Sequence, residues 1–332
     1  LSDSIEEQIE TLVFSGEIDD VRPTAGAIGK AIRIDDALGR YVEYAKRSFT
    51  RGQTLEGVTI VVDCGHGAAY KATPCVLREL GADVIVYGNH PDGTNINAGC
   101  GSMHPEQMCH WVQEHRANIG IAHDGDADRV LLCDENGTLI DGDDIMAICT
   151  LEMLAEGSLA NNTLVSTVMS NAGLETAIET AGGQVVRTPV GDKHVVDEML
   201  RNGHNFGGEQ SGHLIFGDHG TTGDGLVAAL QILQIMAAKQ KPLSKLAQCW
   251  TRFPQKLTNI RVSEKKPLEE LNNVSDFVSQ AEAELEKEGG RVLLRYSGTE
   301  PKIRLLLEGK DGSLLDKWSD QISTAIQTQI GE

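Results

Sequence analysis

The stretch "LEGVTIVVDCGHGAAYKATPCVLRELGADVIVYG", Leu55 to Gly88, decides the fold. Its opening run, "VTIVVD", is rich in β-branched residues and reads as a buried strand. A Gly-rich turn follows at Cys64 to Gly67, then an amphipathic helical run, then a second apolar strand that ends near Gly88. Strand, turn, helix and strand in that order form the unit of a largely parallel α/β sheet. The continuation "NIGIAHDGDADRVLLCDENG", Asn118 to Gly137, adds a strand, an acidic loop and another strand.

The same layout returns at "NTLVSTVMSNAGLETAIETAGGQVVRTPVG", Asn162 to Gly191. A strand rich in Val and Thr meets a small-residue turn at Ser170 and Asn171. A helix follows, and Gly182-Gly183 precedes a second strand. This predicts an internal repeat of roughly 100 residues, alike in layout more than in letters. From Phe253-Pro254 the pattern changes to strand (Leu257 to Val262), long polar helix (Leu268 to Glu288), strand, turn, strand and helix. Leu268, Leu271, Val274, Phe277, Val278 and Ala281 form one stripe, as for a helix packed on a sheet. The expected class is therefore α/β: two repeated three-layer α/β domains with mixed or parallel sheets, plus a C-terminal α+β domain.

Composition narrows the function. The 332 residues suggest two or three domains at roughly 100–150 residues each. Aromatics make up only 4%, so the cores are aliphatic. The formal net charge is −20 and no cluster of Lys or Arg stands out, which argues against a nucleic-acid surface. No apolar run approaches the roughly 20 residues that a membrane span needs. Seven cysteines are scattered without a CxxC, as expected for reduced thiols in cytoplasm. The chain begins with Leu1, and Leu1 to Gly16 reads as an amphipathic helix without signal-peptide character. The expectation is the tail of a longer polypeptide.

Three loops carry chemistry. In "GIAHDGDADRVLLCDENG" (Gly120 to Gly137), Asp124, Asp126 and Asp128 alternate after a strand end. Ligands of α/β folds bind at that edge of the sheet. Three hard oxygen donors select Mg²⁺ or Ca²⁺, and Arg129 beside them suits phosphoryl oxygens. The spacing also imitates an EF-hand, with Glu135 at position 12, but Arg129 stands where that loop needs Gly. An acidic β-turn is the plain alternative. In "GGEQSGHLIF" (Gly207 to Phe216), Glu209, Gln210, Ser211 and His213 offer a short arc of donors and acceptors for sugar hydroxyls, or form a hydrophilic hairpin turn. Just upstream, "PVGDKHVV" brings Lys193 after another strand end. In "RYSGTEPKIRLLLEG" (Arg295 to Gly309), Arg295 and Arg304 flank Ser297-Gly298-Thr299. A tight turn can nest an anion and arginine binds phosphate bidentately; a salt-bridged hairpin is the alternative.

Other stretches carry less. "VVDCGHGAAY" lacks the third Gly of a dinucleotide fingerprint, with Tyr70 in its place, so Gly65 and Gly67 read as a tight turn with small-residue packing. "HPDGTNINAGCG" reads as turn and loop. The ten His show no zinc-type spacing, and no GxSxG is present.

One chain with DGDADR, GEQSGH and RYSGTEPKIR, in the order metal, sugar, phosphate, resembles the α-D-phosphohexomutase superfamily, and within it the bacterial phosphoglucosamine mutases. Gln210 and the "TTGDG" run (Thr221 to Gly225) look like glucosamine-type members. The resemblance runs along the whole chain. It implies four domains around a cleft, of which residues 1–37 would be the end of domain one and a linker. Residues 38–138 would be domain two, 139–252 domain three and 253–332 domain four. It implies Mg²⁺ on Asp124, Asp126 and Asp128, and Arg129 beside the transferring phosphoryl group. Glu209, Gln210 and Ser211 would face the sugar, and Lys193 and His213 would move protons or orient phosphate. Arg295, Ser297, Gly298, Thr299 and Arg304 would hold the non-reacting phosphate. The implied reaction interconverts glucosamine 6-phosphate and glucosamine 1-phosphate, feeding UDP-N-acetylglucosamine and cell-wall synthesis. It runs through a hexosamine 1,6-bisphosphate and a phosphoserine of domain one. The implied partners are a phosphosugar and that domain in cis, with no nucleic acid and no membrane. Phosphomannomutase/phosphoglucomutase activity, a non-catalytic sugar-phosphate-binding fragment and a calcium-binding structural protein are the alternatives. Two departures stand out. The Ser-His-Asn-Pro context of the donor serine is absent, since "NHPDG" at Asn89 lacks the Ser. Ala127 replaces the usual Gly, at a cost of about 1 kcal/mol if φ is positive there.

Overall fold

The computed structural model describes residues 3–297 and 301–331. It divides into two compact units, 1–40 and 41–332, each described by itself. The first contains α1 (Asp3–Ser15) and two short 3₁₀ turns, and the division falls within α2 (Ala37–Arg47).

The second unit opens with the strand–helix–strand unit expected from Leu55 to Gly88: β1 (Thr59–Asp63), α3 (Ala69–Glu79) and β2 (Asp83–Tyr87). Then come α4 (Pro105–His115), β3 (Ile119–His123), β4 (Val130–Asp134) and β5 (Leu139–Ile140). The sheet order is β2-β1-β3-β4-β5, with β1 parallel to β2 and β3, and β4 antiparallel to its neighbours. After α5 (Gly142–Glu156) the layout repeats as β6 (Thr163–Thr167), α6 (Ala172–Thr180), β7 (Gln184–Thr188), α7 (Asp192–Asn202), β8 (Phe206–Gly208) and β9 (Leu214–Phe216). The order β7-β6-β8-β9 has the same parallel and antiparallel pattern. The repeat predicted from layout is thus a repeat of topology.

α5 and α8 (Gly225–Lys239) are apolar nearly all round because they lie inside one aliphatic core shared by both repeats. That core joins Ile60, Ile119 and Leu132 of the first sheet to Leu164, Phe206 and Leu214 of the second. α9 (Leu243–Leu246) leads to the last module, which has its own core. There, β10 (Gln255–Arg261), β11 (Arg291–Tyr296) and β12 (Lys302–Glu308) form an antiparallel sheet in the order β10-β12-β11, packed against α10 (Asn272–Leu285) and α11 (Gly312–Ile330).

The long helix expected from Leu268 to Glu288 is broken. Leu271 has extended φ/ψ (−89°, 71°), which separates a 3₁₀ turn (Leu268–Glu270) from α10, and a second 3₁₀ turn (Glu286–Glu288) follows. The first break is local: Pro267 starts the 3₁₀ turn and no side chain caps α10. The expected stripe still packs inward, with Leu271, Val274 and Ala281 buried. Among the described residues no helix is long and apolar enough to cross a membrane.

Candidate functional site

The Asp loop joins β3 to β4 and the Gly-rich polar loop joins β8 to β9, the same topological position in the two repeats. The loops meet. Arg129 and His213 form an antiparallel bridge, and Val130 N donates to Gly212 O at 3.1 Å. Glycine permits this approach: a Cβ on Gly212 would collide with Val130 O, and one on Gly142 with Glu209 O. The N-terminus of α8 backs the pair. Gly225 N donates to Ala127 O at 3.0 Å, and Asp224, which caps that helix, accepts from the Tyr41 hydroxyl at 3.0 Å.

In the Asp loop, one oxygen each of Asp124, Asp126 and Asp128 lies within 4.8 Å of the others. Asp124 is buried, Asp128 half-buried and Asp126 exposed. Burial, with Asp128 and Asp126 nearby, pushes Asp124 up to about 7. Arg129 N donates to Asp124 Oδ1 at 3.1 Å, while the guanidinium Nε stays 3.9 Å from Asp124 and 4.0 Å from Asp128. Asp128 Oδ1 is buried without a hydrogen-bond partner among the described residues, and its Oδ2 lies 3.0 Å from His213 Nδ1. The set fits a hard divalent cation. The EF-hand imitation ends at Glu135, which accepts from Ser244 N and Oγ, and the flanks are strands. Ala127 has φ 64°, so the alanine sits where glycine is favoured.

In the second loop, Glu209 accepts from Gly191 N at 2.9 Å and from Ser211 Oγ at 3.5 Å. A cavity of about 610 Å³ opens beside both loops. Arg129, Asp141, Glu209, Gln210 and Ser211 line it, with Ser102 and Met103. Its size suits a small ligand. His213 is buried and turned to Asp128, not to the cavity lining. Lys193 is exposed in the first turn of α7, outside that lining. The TTGDG run lies behind the Asp loop, with Gly223 against the His213 ring.

In the last module, Arg295 and Arg304 face each other directly across β11 and β12. Arg295 Nη2 lies 3.8 Å from Sδ of Met169, a residue that lines the cavity. Arg304 Nε is buried without a partner among the described residues. Ser297 is buried and donates its N–H to Lys302 O at 2.8 Å. Gly298 and Thr299 lie outside the described residues.

Sequence reading missed Asp141, Ser102 and Met103. "HPDGTNINAGCG" runs directly into Ser102, and its Asn97 and Ile96 pack on Gly125 of the Asp loop. "DCGHG" lies behind the same loop: a Cβ on Gly67 would collide with Gly125 O. The one available signal was glycine density near the Asp triplet.

Comparison with known proteins agrees with this geometry. The phosphoglucomutase/phosphomannomutase models match along the chain: alpha/beta/alpha domain II over 39–137, alpha/beta/alpha domain III over 141–253 and the C-terminal domain over 257–325. The phosphoglucosamine mutase of Geobacter metallireducens is 54% identical over 331 residues, covering 100% of this chain and 73% of its own length. That of Syntrophotalea carbinolica is 53% identical over 331 residues, covering 100% and 72%. A phosphoglucomutase/phosphomannomutase family protein of Burkholderia thailandensis has the same fold, with a TM-score of 0.77 at 22% identity over 98% of this chain and 72% of its own. With the repeat, the paired loops and these matches in hand, the chain belongs to the phosphoglucomutase/phosphomannomutase family, in its phosphoglucosamine mutase branch.

Proposed function

We propose that the protein serves as a phosphoglucosamine mutase, interconverting glucosamine 6-phosphate and glucosamine 1-phosphate through a 1,6-bisphosphate. The observation that carries this reading is the meeting of the Asp loop and the sugar loop beside one cavity of about 610 Å³. Asp124, Asp126 and Asp128 would hold Mg²⁺; the orphaned Asp128 Oδ1 supports the fit. When bound, the ion would neutralise charge on the transferring phosphoryl oxygens. Arg129 lines the cavity next to that triad and would orient the same group. Glu209 and Ser211 would grip sugar hydroxyls, held ready by the Gly191 bond. Arg295 and Arg304, with Ser297, Gly298 and Thr299, would hold the other phosphate, while His213 would act through Asp128, which it contacts, and Lys193 stands outside the cavity lining. The phosphoserine donor has no Ser-His-Asn-Pro counterpart here, so we assign it to residues outside this sequence. A cytoplasmic site fits the seven cysteines, all free.

The test is calorimetry of this chain with glucosamine 6-phosphate and glucose 1,6-bisphosphate, with and without Mg²⁺, repeated with Arg295→Ala. Saturable binding without turnover is expected, weakened about tenfold or more in the variant, as for a lost charge-assisted bond. A divalent-ion affinity indifferent to sugar phosphates, with no sugar-phosphate binding, would overturn the reading.

A further inference from the structure

We infer that Asp141 is the specificity-determining carboxylate of the cavity, and that its Oδ2 pairs with a protonated amino group on the sugar phosphate. The inference rests on the sugar-phosphate reading above and names what separates an amino sugar from a neutral one.

Asp141 stands between β5 and α5, and its two oxygens have different surroundings. Oδ1 is taken: it accepts from Asp143 N at 3.0 Å, Asp144 N at 3.2 Å and Arg252 Nη2 at 2.7 Å. Oδ2 meets Gln210 Nε2 at 3.5 Å, the outer limit of a hydrogen bond. Both Asp141 and Gln210 line the cavity. A carboxylate oxygen has two lone pairs, so Oδ2 keeps acceptor capacity there. The helix cap and the arginine orient the carboxylate through the other oxygen, so it is positioned before any ligand arrives.

Charge points the same way. Asp141, Asp143 and Asp144 all lie within ion-pair distance of one guanidinium, that of Arg252. Asp141 and Asp144 already outnumber the one guanidinium, and Asp143 adds a third, partly protonated carboxyl. Burial first, and then the Asp141 charge, push Asp143 up to about 7 and Asp144 up to about 6. The same cavity carries Arg129, and Arg295 reaches its Met169. The site is therefore dipolar, cationic toward the arginines and anionic at the start of α5. A hexosamine phosphate is a zwitterion with that polarity, whereas a hexose phosphate has only the anionic end. Complementary charge of this kind sets specificity. A hydroxyl could also donate to Oδ2, but the bond from an ammonium is charge-assisted and stronger.

Asp141→Asn tests this, because asparagine caps a helix as well as aspartate does while removing the charge. Glucosamine 6-phosphate, glucose 6-phosphate and N-acetylglucosamine 6-phosphate are titrated into the chain and the variant by calorimetry with Mg²⁺ present. The unmodified chain is expected to favour glucosamine 6-phosphate over both neutral sugars by about tenfold, the step one charge-assisted bond carries. Asp141→Asn is expected to abolish that preference, weakening glucosamine 6-phosphate about tenfold more than glucose 6-phosphate. Equal affinities in the unmodified chain, or equal weakening of all three sugars in Asp141→Asn, overturns the inference and leaves the sugar-phosphate reading standing. Failure of all three to bind overturns that reading and the inference with it.

Discussion

The β3–β4 loop and the β8–β9 loop occupy one topological position in two copies of a fold, yet they solve opposite electrostatic problems. The first gathers three carboxylates within 4.8 Å and leaves Asp128 Oδ1 without a partner among the described residues. Arg129 relieves part of its repulsion, with Nε 3.9 Å from Asp124 and 4.0 Å from Asp128, and a bound cation would relieve more. The second ties down its one carboxylate: Glu209 takes bonds from Gly191 N and Ser211, and Gly212 N donates to Glu209 O at 3.0 Å, while His213 Nε2 is buried without a hydrogen-bond partner among the described residues. One loop crowds its carboxylates together, and the other holds its single carboxylate by hydrogen bonds. What they share is the contact between them, built on backbone atoms and glycines with the His213–Asp128 pair beside it. A repeated scaffold can thus diverge in side-chain chemistry while its two copies stay locked through main chain.

The harshest way to break the pair is Gly212→Ala. Its Cβ would strike Val130 O, and φ is 91°. A loss of about 3 kcal/mol or more in denaturant unfolding is expected. Gly203→Ala is the control: φ is 69° but nothing lies within 4 Å, so only about 1 kcal/mol should go. Next comes acid. His123, at the root of the Asp loop, is fully buried between Thr73 Oγ1 and Arg129 O, and burial lowers it to about 4. A depressed histidine favours the fold above its unfolded value near 6.5 and loses that contribution as pH falls toward 4. The loss is at most about 3 kcal/mol. Asp124, Asp143 and Asp144, raised by burial, slope the other way, so the readout is a difference: the stability of the unmodified chain relative to His123→Asn should fall as pH drops over that range, and a constant difference would assign the effect elsewhere. Asp128→Asn should lower Mg²⁺ affinity about tenfold by titration without moving the melting temperature much, while Asp218→Asn, away from the triad, should do neither. The mildest test sharpens the comparison: Ala127→Gly relieves φ 64° and should stabilise the chain by about 1 kcal/mol.

The repeat was legible because a strand's β-branched run, a Gly turn and a helical period leave local marks at Leu55 to Gly88 and again at Asn162 to Gly191. The convergence of the Asp triplet was legible because alternate positions on a curling loop turn to one side, whereas the choice between a cation site and an acidic β-turn left no local mark. The Arg129–His213 bridge was not, because pairing between residues far apart in sequence has no local signature. Asp141 escaped for a related reason. Its "DGDD" context reads as a helix cap, which it is, and only the fold reveals that its second oxygen faces the Gln210 cavity. The break at Leu271 escaped because the apolar stripe continues through it.

The last module is tied to the rest at a short edge. Asn171 donates to Phe253 O and accepts from Phe253 N, Arg291 donates to Ser170 O, and Arg295 rests on Met169. All three ties end on residues 169–171, the turn between β6 and α6. In kinematic terms this is a door on its hinge. Sliding the module would break every tie together, whereas swinging it about that turn disturbs each only slightly. Arg304 stands beside Arg295 on the leaf, so a few degrees of swing would carry both guanidiniums together while straining the hinge little.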